Sequence, residues 1–360
     1  MTRQELTAYI ESILPADREA MDAARRRQAE LAKPPGSLGA LEDMSIRLAG
    51  IRRTPRPRID RCRVTVLAAD NGVVAEGVSC APQSVTVQQA VNMTRHKTGM
   101  SALAAYFGDQ VQVVDVGICV PVSCPQVLDR KIRFSTGDIA AEPAMTEQEA
   151  LRALSVGLDL AHMAKAEGID AVGVGEMGIG NTTTSAAVLA ALTGASVEEV
   201  AGRGGGLTDG GFATKKRVLW QALALHHPDP GDPVAVLAAV GGLDLAAMTG
   251  LFLGCAHEGL AAAVDGYISI VAALCAVRLC PRVRDYLFLS HASYEIGYRI
   301  AAEELGHMEM VAQTINLLYF LPTAAMALVQ HRKNGLLDAP VLGGAIPWGL
   351  PAAALGAFLT

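Results

Sequence analysis

From about residue 60 onward the chain alternates apolar runs of strand length with longer windows of helical periodicity. That alternation predicts an α/β fold built on a parallel sheet, with helices between its strands. The strand-length runs are Cys62–Ala69, Gln110–Val116, Lys131–Phe134, Ile169–Val174, Leu260–Val264 and Tyr286–Leu289. Thr146 with Glu149, and Ser196 with Glu199, have the spacing of capping boxes and mark two helix starts. Ahead of the sheet, residues 1–30 are charged and helical in pattern, and Lys33–Gly39 (KPPGSLG) reads as a rigid loop. A second helix over about 40–53 runs into the proline-arginine stretch Arg52–Arg58, which reads as a linker.

Composition narrows the class. A chain of 360 residues that is 51% hydrophobic buries a large core, which excludes a disordered, collagen-like or disulfide-scaffold protein. Thirty-six glycines beside only 4% aromatics suit closely packed helices and glycine loops that a ligand approaches. The net charge of −6 speaks against nucleic acid or an anionic membrane as partner. Seven cysteines, odd in number and without CxxC spacing, read as buried thiols of a reducing compartment, the cytoplasm. Cys119 and Cys124 have no histidines at zinc-like spacing, so no metal site is expected. Charges throughout the first thirty residues argue against a signal peptide. Of two apolar stretches, 259–277 carries Asp265 at its centre and 339–360 is broken by Pro340, Pro347 and Pro351, so neither reads as a membrane span.

Polar segments follow the strands with some regularity, where ligands of open parallel sheets bind. They are Asp70-Asn71-Gly72, Asp115-Val116-Gly117, Gly175 to Thr183, Asp265-Gly266 and Ser290-His291. Singly each is a turn or a cap; five at one sheet edge make a site. In GEMGIGNTTT, glycines 175, 178 and 180 free backbone amides to face outward, and Asn181, Thr182 and Thr183 add donors at a helix N-terminus. The result suits an anion. The segment is neither a Walker A loop, lacking its lysine, nor GxGxxG. A second loop, Gly202-Arg203-Gly204-Gly205-Gly206, precedes Lys215 and Lys216, and the two loops with a lysine suit one phosphate monoester. Two flexible turns are the bland alternative. Glu176 would be repelled by such a phosphate, so it serves either as a proton acceptor, as the partner of a cation, or as a structural hydrogen-bonding group. His96, His257 and His291 have no ligand spacing, and Ser79 and Ser293 lie in no GxSxG elbow.

Eight motifs then occur in order: KPPGSLGALED (33–43), AADNGVVAEGVSCAPQSVT (68–86), EPAMT (142–146), GEMGIGNTTT (175–184), GRGGGLTDGG (202–211), VGGLDLAAM (240–248), VDGYISIVAAL (264–274) and SHASYEIGYR (290–299). From about residue 30 to 306 the chain resembles the nicotinate-nucleotide:dimethylbenzimidazole phosphoribosyltransferase family. The resemblance implies a Rossmann-like parallel sheet of six strands with flanking helices in a large α/β domain (59–305), a small helical domain from both chain ends (1–58 and 306–360), and assembly as a homodimer. It implies transfer of the phosphoribosyl group of nicotinate mononucleotide to dimethylbenzimidazole, giving α-ribazole phosphate and nicotinate without a cofactor. Carried over by motif, Gly178, Gly180, Asn181, Thr182 and Thr183 cradle the phosphate with Gly204, Gly206 and Lys215, and Ser293 lies near the nucleotide. Glu176 matches the family glutamate near the reacting centre, while Ser79, Gln88 and Met177 line the base pocket.

One departure stands out. Where the family carries a Gly-Glu-Gly segment near the C-terminus, with its glutamate as general base, this chain has Tyr319-Phe320-Leu321, which puts Phe320 beside the base. GRGGG also replaces GRGTG, and Thr208 stands where an Asp is usual. Three readings follow: an active transferase in which Glu176 or a water takes the proton; a catalytically degenerate subunit that pairs with an active paralogue as a heterodimer; or a transferase for another acceptor such as adenine or a phenol.

Overall fold

A computed structural model of the chain describes residues 1–306. Helices α1 (Arg3–Ser12) and α2 (Arg18–Glu30) divide the charged N-terminal stretch. Pro15 lies between them, and its missing N–H and fixed φ end the first helix. Helix α3 (Ala40–Arg52) follows the KPPGSLG loop, whose Lys33 Nζ pairs with Glu42 Oε1 at 2.6 Å. Next come β1 (Cys62–Ala69), α4 (Ser84–Thr94), α5 (Gly99–Phe107), β2 (Gln110–Gly117), β3 (Val127–Asp129), α6 (Glu147–Ala166) and β4 (Ala171–Met177). Helices α7 (Asn181–Thr193), α8 (Val197–Val200), α9 (Asp209–His226), α10 (Pro233–Val240) and α11 (Leu243–Glu258) run in succession. Then β5 (Ala261–Val264), α12 (Gly266–Leu279), β6 (Leu287–Leu289) and α13 (Tyr298–Glu304) complete the described chain.

The six strands are all parallel in the order β3-β2-β1-β4-β5-β6. The order reverses between the neighbours β1 and β4, so the crevice for a ligand opens beyond their carboxyl ends. Strand alternation sends Leu67, Ala69, Val114, Val116, Val172 and Val174 into the larger core cluster, which also holds buried residues of α6, α11 and α12. Val66, Ala68, Val113 and Met177 pack on the other face with Ala90 of α4. The glycine-rich composition has a visible use where α6 and α11 cross. A methyl at Gly157 would come within 2.1 Å of the Ala247 carbonyl oxygen, and one at Gly250 within 2.0 Å of that of Leu154. Only glycine lets these two backbones touch, and their contact holds α11 against α6.

Both predicted capping boxes form, at Thr146 and at Ser196. Two strands depart from expectation. The third strand is Val127–Asp129 rather than 131–134. Residues 130–135 still follow the edge of β2 through Arg130, Ile132 and Ser135 N–H groups, but the ladder is irregular because Lys131 turns inward to pair with Asp115 at 2.8 Å. The fourth strand begins two residues late and continues to Met177, since pairing with β1 runs on through Ala68↔Met177. Glu176 therefore lies in the strand, not in the loop after it. The seven cysteines are free, and Cys80 is exposed rather than buried. The apolar stretch 259–277 divides into β5 and α12, and among the described residues no helix is long and apolar enough to cross a membrane. The 339–360 stretch, and nearly all of the C-terminal segment expected to complete a small helical domain (306–360), lie outside the described residues.

Candidate active site

The carboxyl ends of β1, β4 and β5 and the N-termini of α7 and α11 meet at one edge of the sheet. Asp70, just past β1, is fully buried and ties the edge together. Its Oδ1 accepts from Thr86 Oγ1 at 2.6 Å and its Oδ2 from the Cys119 N–H at 2.9 Å. Thr86 in turn accepts from the Ile179 N–H at 3.2 Å, fixing the turn that follows β4. Asn71 donates to the Ile179 carbonyl at 3.4 Å and its Oδ1 accepts from Thr184 of α7.

Glu176 projects from the face of β4 that carries Val172 and Val174, and so toward α11. The amide nitrogen of Asn181, the first residue of α7, donates to Glu176 Oε2 at 2.5 Å and to Asp244 Oδ2 at 3.1 Å. Asp244 lies fully buried in the first turn of α11. Two carboxylates thus share one donor, and among the described residues Glu176 and Asp244 form no ion pair. Burial and the neighbouring Asp244 push the Glu176 carboxyl up to about 8, with Asp265 adding to the rise and the Asn181 amide opposing it. Burial pushes Asp244 up to about 6, against donation from Asn181 and from the Leu245 N–H. Among the described residues no cation pairs with Glu176. The arrangement can hold one proton and one negative charge near neutral pH.

Beside the carboxylates lies the anion-suited part. Gly180 caps α7 in the left-handed region (φ +94°), which turns the chain into the helix. Lys215, on α9, is fully buried and donates from Nζ to Thr182 Oγ1 at 3.0 Å. Burial pushes its ammonium down to about 8, with Glu295 opposing. Gly204 (φ +54°) faces the same hydroxyl, for a methyl there would stand 2.8 Å from Thr182 Oγ1. Gly206, also at positive φ, leads to Thr208, whose side chain caps α9 by accepting from the Gly211 N–H. The Thr183 hydroxyl is buried and has no hydrogen-bond partner among the described residues.

The other predicted residues divide. Met177 ends β4 on the face opposite Glu176. Ser79 makes a tight turn with Ala81, and the next residue, Cys80, brings that loop against Gly205 of the second glycine loop. Ser293 lies in the loop after β6, and the same loop brings Glu295 against Gly202. Gln88 is exposed on α4 and makes no side-chain hydrogen bond among the described residues. Phe320 lies outside the described residues. His291 pairs with Asp265 at 3.6 Å and with Ser290 Oγ at 2.9 Å. Among the described residues no cluster of three or more His, Cys, Asp or Glu side chains could hold a metal ion. Sequence reasoning missed Asp244 and Glu295. An aspartate directly after Gly241-Gly242-Leu243 in an otherwise apolar segment was the available signal for the first.

A family model described as "Phosphoribosyltransferase" matches residues 13–318. The nicotinate-nucleotide–dimethylbenzimidazole phosphoribosyltransferase of Clostridium perfringens is 45% identical over 301 residues, 84% of this chain and 83% of that protein. The protein of the same name from Geobacter sulfurreducens is 46% identical over 302 residues, 84% of this chain and 86% of its own length. Among solved structures, the phosphoribosyltransferase of that name from Thermus thermophilus superposes with a TM-score of 0.77 at 38% identity, covering 90% of this chain and 100% of that one.

Proposed function

The chain belongs to the nicotinate-nucleotide–dimethylbenzimidazole phosphoribosyltransferase family, and from that premise we propose that it moves the phosphoribosyl group of nicotinate mononucleotide to dimethylbenzimidazole. The products are α-ribazole phosphate and nicotinate, a step of cobalamin biosynthesis. The observation that carries the reading is the coincidence, at one sheet edge, of the Glu176–Asp244 pair with the Thr182–Lys215 contact.

In the proposed reaction the bond from C1′ to the pyridinium nitrogen breaks with its electron pair going to nicotinate. The unprotonated ring nitrogen of the base attacks C1′ from the opposite face, inverting β to α, and the proton on its other nitrogen passes to Glu176. The phosphate is held by Lys215, Thr182, Thr183 and the amides around Gly178, Gly180, Gly204 and Gly206, with Ser293 close by. Phosphate binding restores a full charge to a lysine whose burial disfavours it. The Asn181 side chain, committed to the carboxylates, contributes to the acid–base group, and its backbone to the phosphate turn. Ser79, Met177 and Gln88 line the base. A negative charge with no counter-cation among the described residues favours the cationic, oxocarbenium-like sugar of the transition state. Holding both reactants in line supplies much of the remaining acceleration. The same reading makes the chain a cytoplasmic homodimer, which sedimentation of the purified protein checks.

The test is incubation of the purified chain with nicotinate mononucleotide and a panel of acceptors: dimethylbenzimidazole, adenine and a phenol. Preferred conversion of dimethylbenzimidazole supports the reading. Product with another base alone changes the acceptor, and no product with any base removes the activity.

A further inference from the structure

Asp244 has no place in the phosphate or base contacts, yet the fold takes care to accommodate it. A methyl at Gly242 would come within 2.3 Å of Asp244 Oδ1, and one at Gly178 within 2.9 Å of its Oδ2. Two glycines from two distant motifs thus wall in one carboxylate. It lies in the first turn of α11, where the helix dipole favours negative charge, and its Oδ1 accepts from the Leu245 N–H at 2.9 Å. Its Oδ2 reaches the nitrogen that also serves Glu176.

We infer that Asp244 is a positioning residue for Glu176: through the shared Asn181 amide it orients the Glu176 carboxyl and keeps a single proton on the pair. Removing one water-inaccessible carboxylate beside another relieves like-charge repulsion, so the remaining one ionises more readily. In the unliganded chain at neutral pH the helix terminus assigns the charge to Asp244 and leaves the proton on Glu176, which accepts the proton of the reaction only from its ionised form. The surrounding groups do not overturn this assignment. Asp70, beyond β1, faces Asp244, and Asp265, beyond β5, faces Glu176; both are acidic. His291 is engaged with Asp265, and Lys215 with Thr182. The strand from which Glu176 projects supplies no cation.

The inference rests on the transferase reading for its role in the reaction, and its test has one arm that needs no turnover. In the first arm, kcat/KM is measured against pH for wild type and Asp244→Asn. The acidic limb is expected to move down by about one pH unit or more, so that the ratio of variant to wild type rises as pH falls. A ratio independent of pH reduces Asp244 to a packing role and overturns the inference. In the second arm, infrared difference spectra follow the carboxylic-acid C=O stretch of the unliganded chain. The expected band is present at neutral pH in wild type, absent in Glu176→Gln, and titrates at lower pH in Asp244→Asn. A wild type without that band at neutral pH overturns the inference even where Asp244→Asn does not fold. A band with the expected behaviour in a chain that transfers to no acceptor separates failure of the activity from failure of the proton sharing.

Discussion

Glu176 at the end of β4 and Asp244 at the start of α11 accept hydrogen bonds from the same nitrogen, Asn181 Nδ2, at 2.5 and 3.1 Å. Two elements that are remote in sequence are joined there by a single amide. Replacing that amide takes the shared donor from half-buried Glu176 and from fully buried Asp244, and at Asp244 the loss costs about 1–3 kcal/mol. Asn181→Ala is therefore expected to lower stability, and chemical denaturation at two pH values checks the origin of the loss. Both carboxyls are raised above their unfolded values, so the folded chain binds more protons than the unfolded one between the two ranges. Stability from this pair falls as pH rises, with the fall complete above about 8. The Asn181→Ala loss is expected to be larger at the alkaline end.

The same groups set a pH profile for activity. Glu176 must be ionised to accept a proton, and Lys215 must be protonated to hold a phosphate; both change state at about 8. The expected kcat/KM profile is a narrow bell centred near that pH, with the acidic limb from Glu176 and the alkaline limb from Lys215. In Lys215→Met the alkaline limb disappears. A broad plateau through neutral and alkaline pH in the wild type would contradict the assignment.

Lys215→Met also isolates the phosphate contact. The charge-assisted bond it removes is worth about 1.5–3 kcal/mol, which is roughly a 10- to 150-fold loss in affinity for nicotinate mononucleotide. Calorimetric titration checks it, with binding of the unphosphorylated nucleoside expected to change far less.

Gly178→Ala tests the crowding at the end of β4. Its methyl would lie 2.3 Å from the Ala69 carbonyl oxygen and 2.9 Å from Asp244 Oδ2. The backbone of β1 cannot give way without shifting Asp70, so a destabilisation of about 1–3 kcal/mol is expected, with loss of transfer. Thermal unfolding alongside the assay reads both.

Much of this is legible in the sequence, for identifiable reasons. β1 is found at its predicted bounds and β2 within one residue, since apolar alternation and a sharp polar ending mark both. The capping boxes at Thr146 and Ser196 are local signals that tertiary packing leaves alone. Periodicity puts the third strand too late because Lys131–Phe134 has strand-like composition, whereas Lys131 is drawn inward by Asp115, a contact invisible to periodicity. It ends the fourth too early because Gly175, opening a glycine-rich segment, looks like a loop residue, though the parallel ladder with β1 passes straight through it. Asn181 is recognisable as a donor at a helix start, but its acceptors depend on strand face and helix position together. The direction of Glu176 follows from two-residue alternation once β4 extends to Met177. The partnership with Asp244 follows only from the fold, which brings the first turn of α11 to the end of β4 and the start of α7.

The central claim is that Glu176 accepts the proton released as the phosphoribosyl group is transferred. It is tested most directly by single-turnover transfer to dimethylbenzimidazole, comparing wild type with Glu176→Gln at saturating nicotinate mononucleotide. A fall in rate of about 10²- to 10⁴-fold with little change in nucleotide affinity is the predicted result. Equal rates for the two proteins would contradict it.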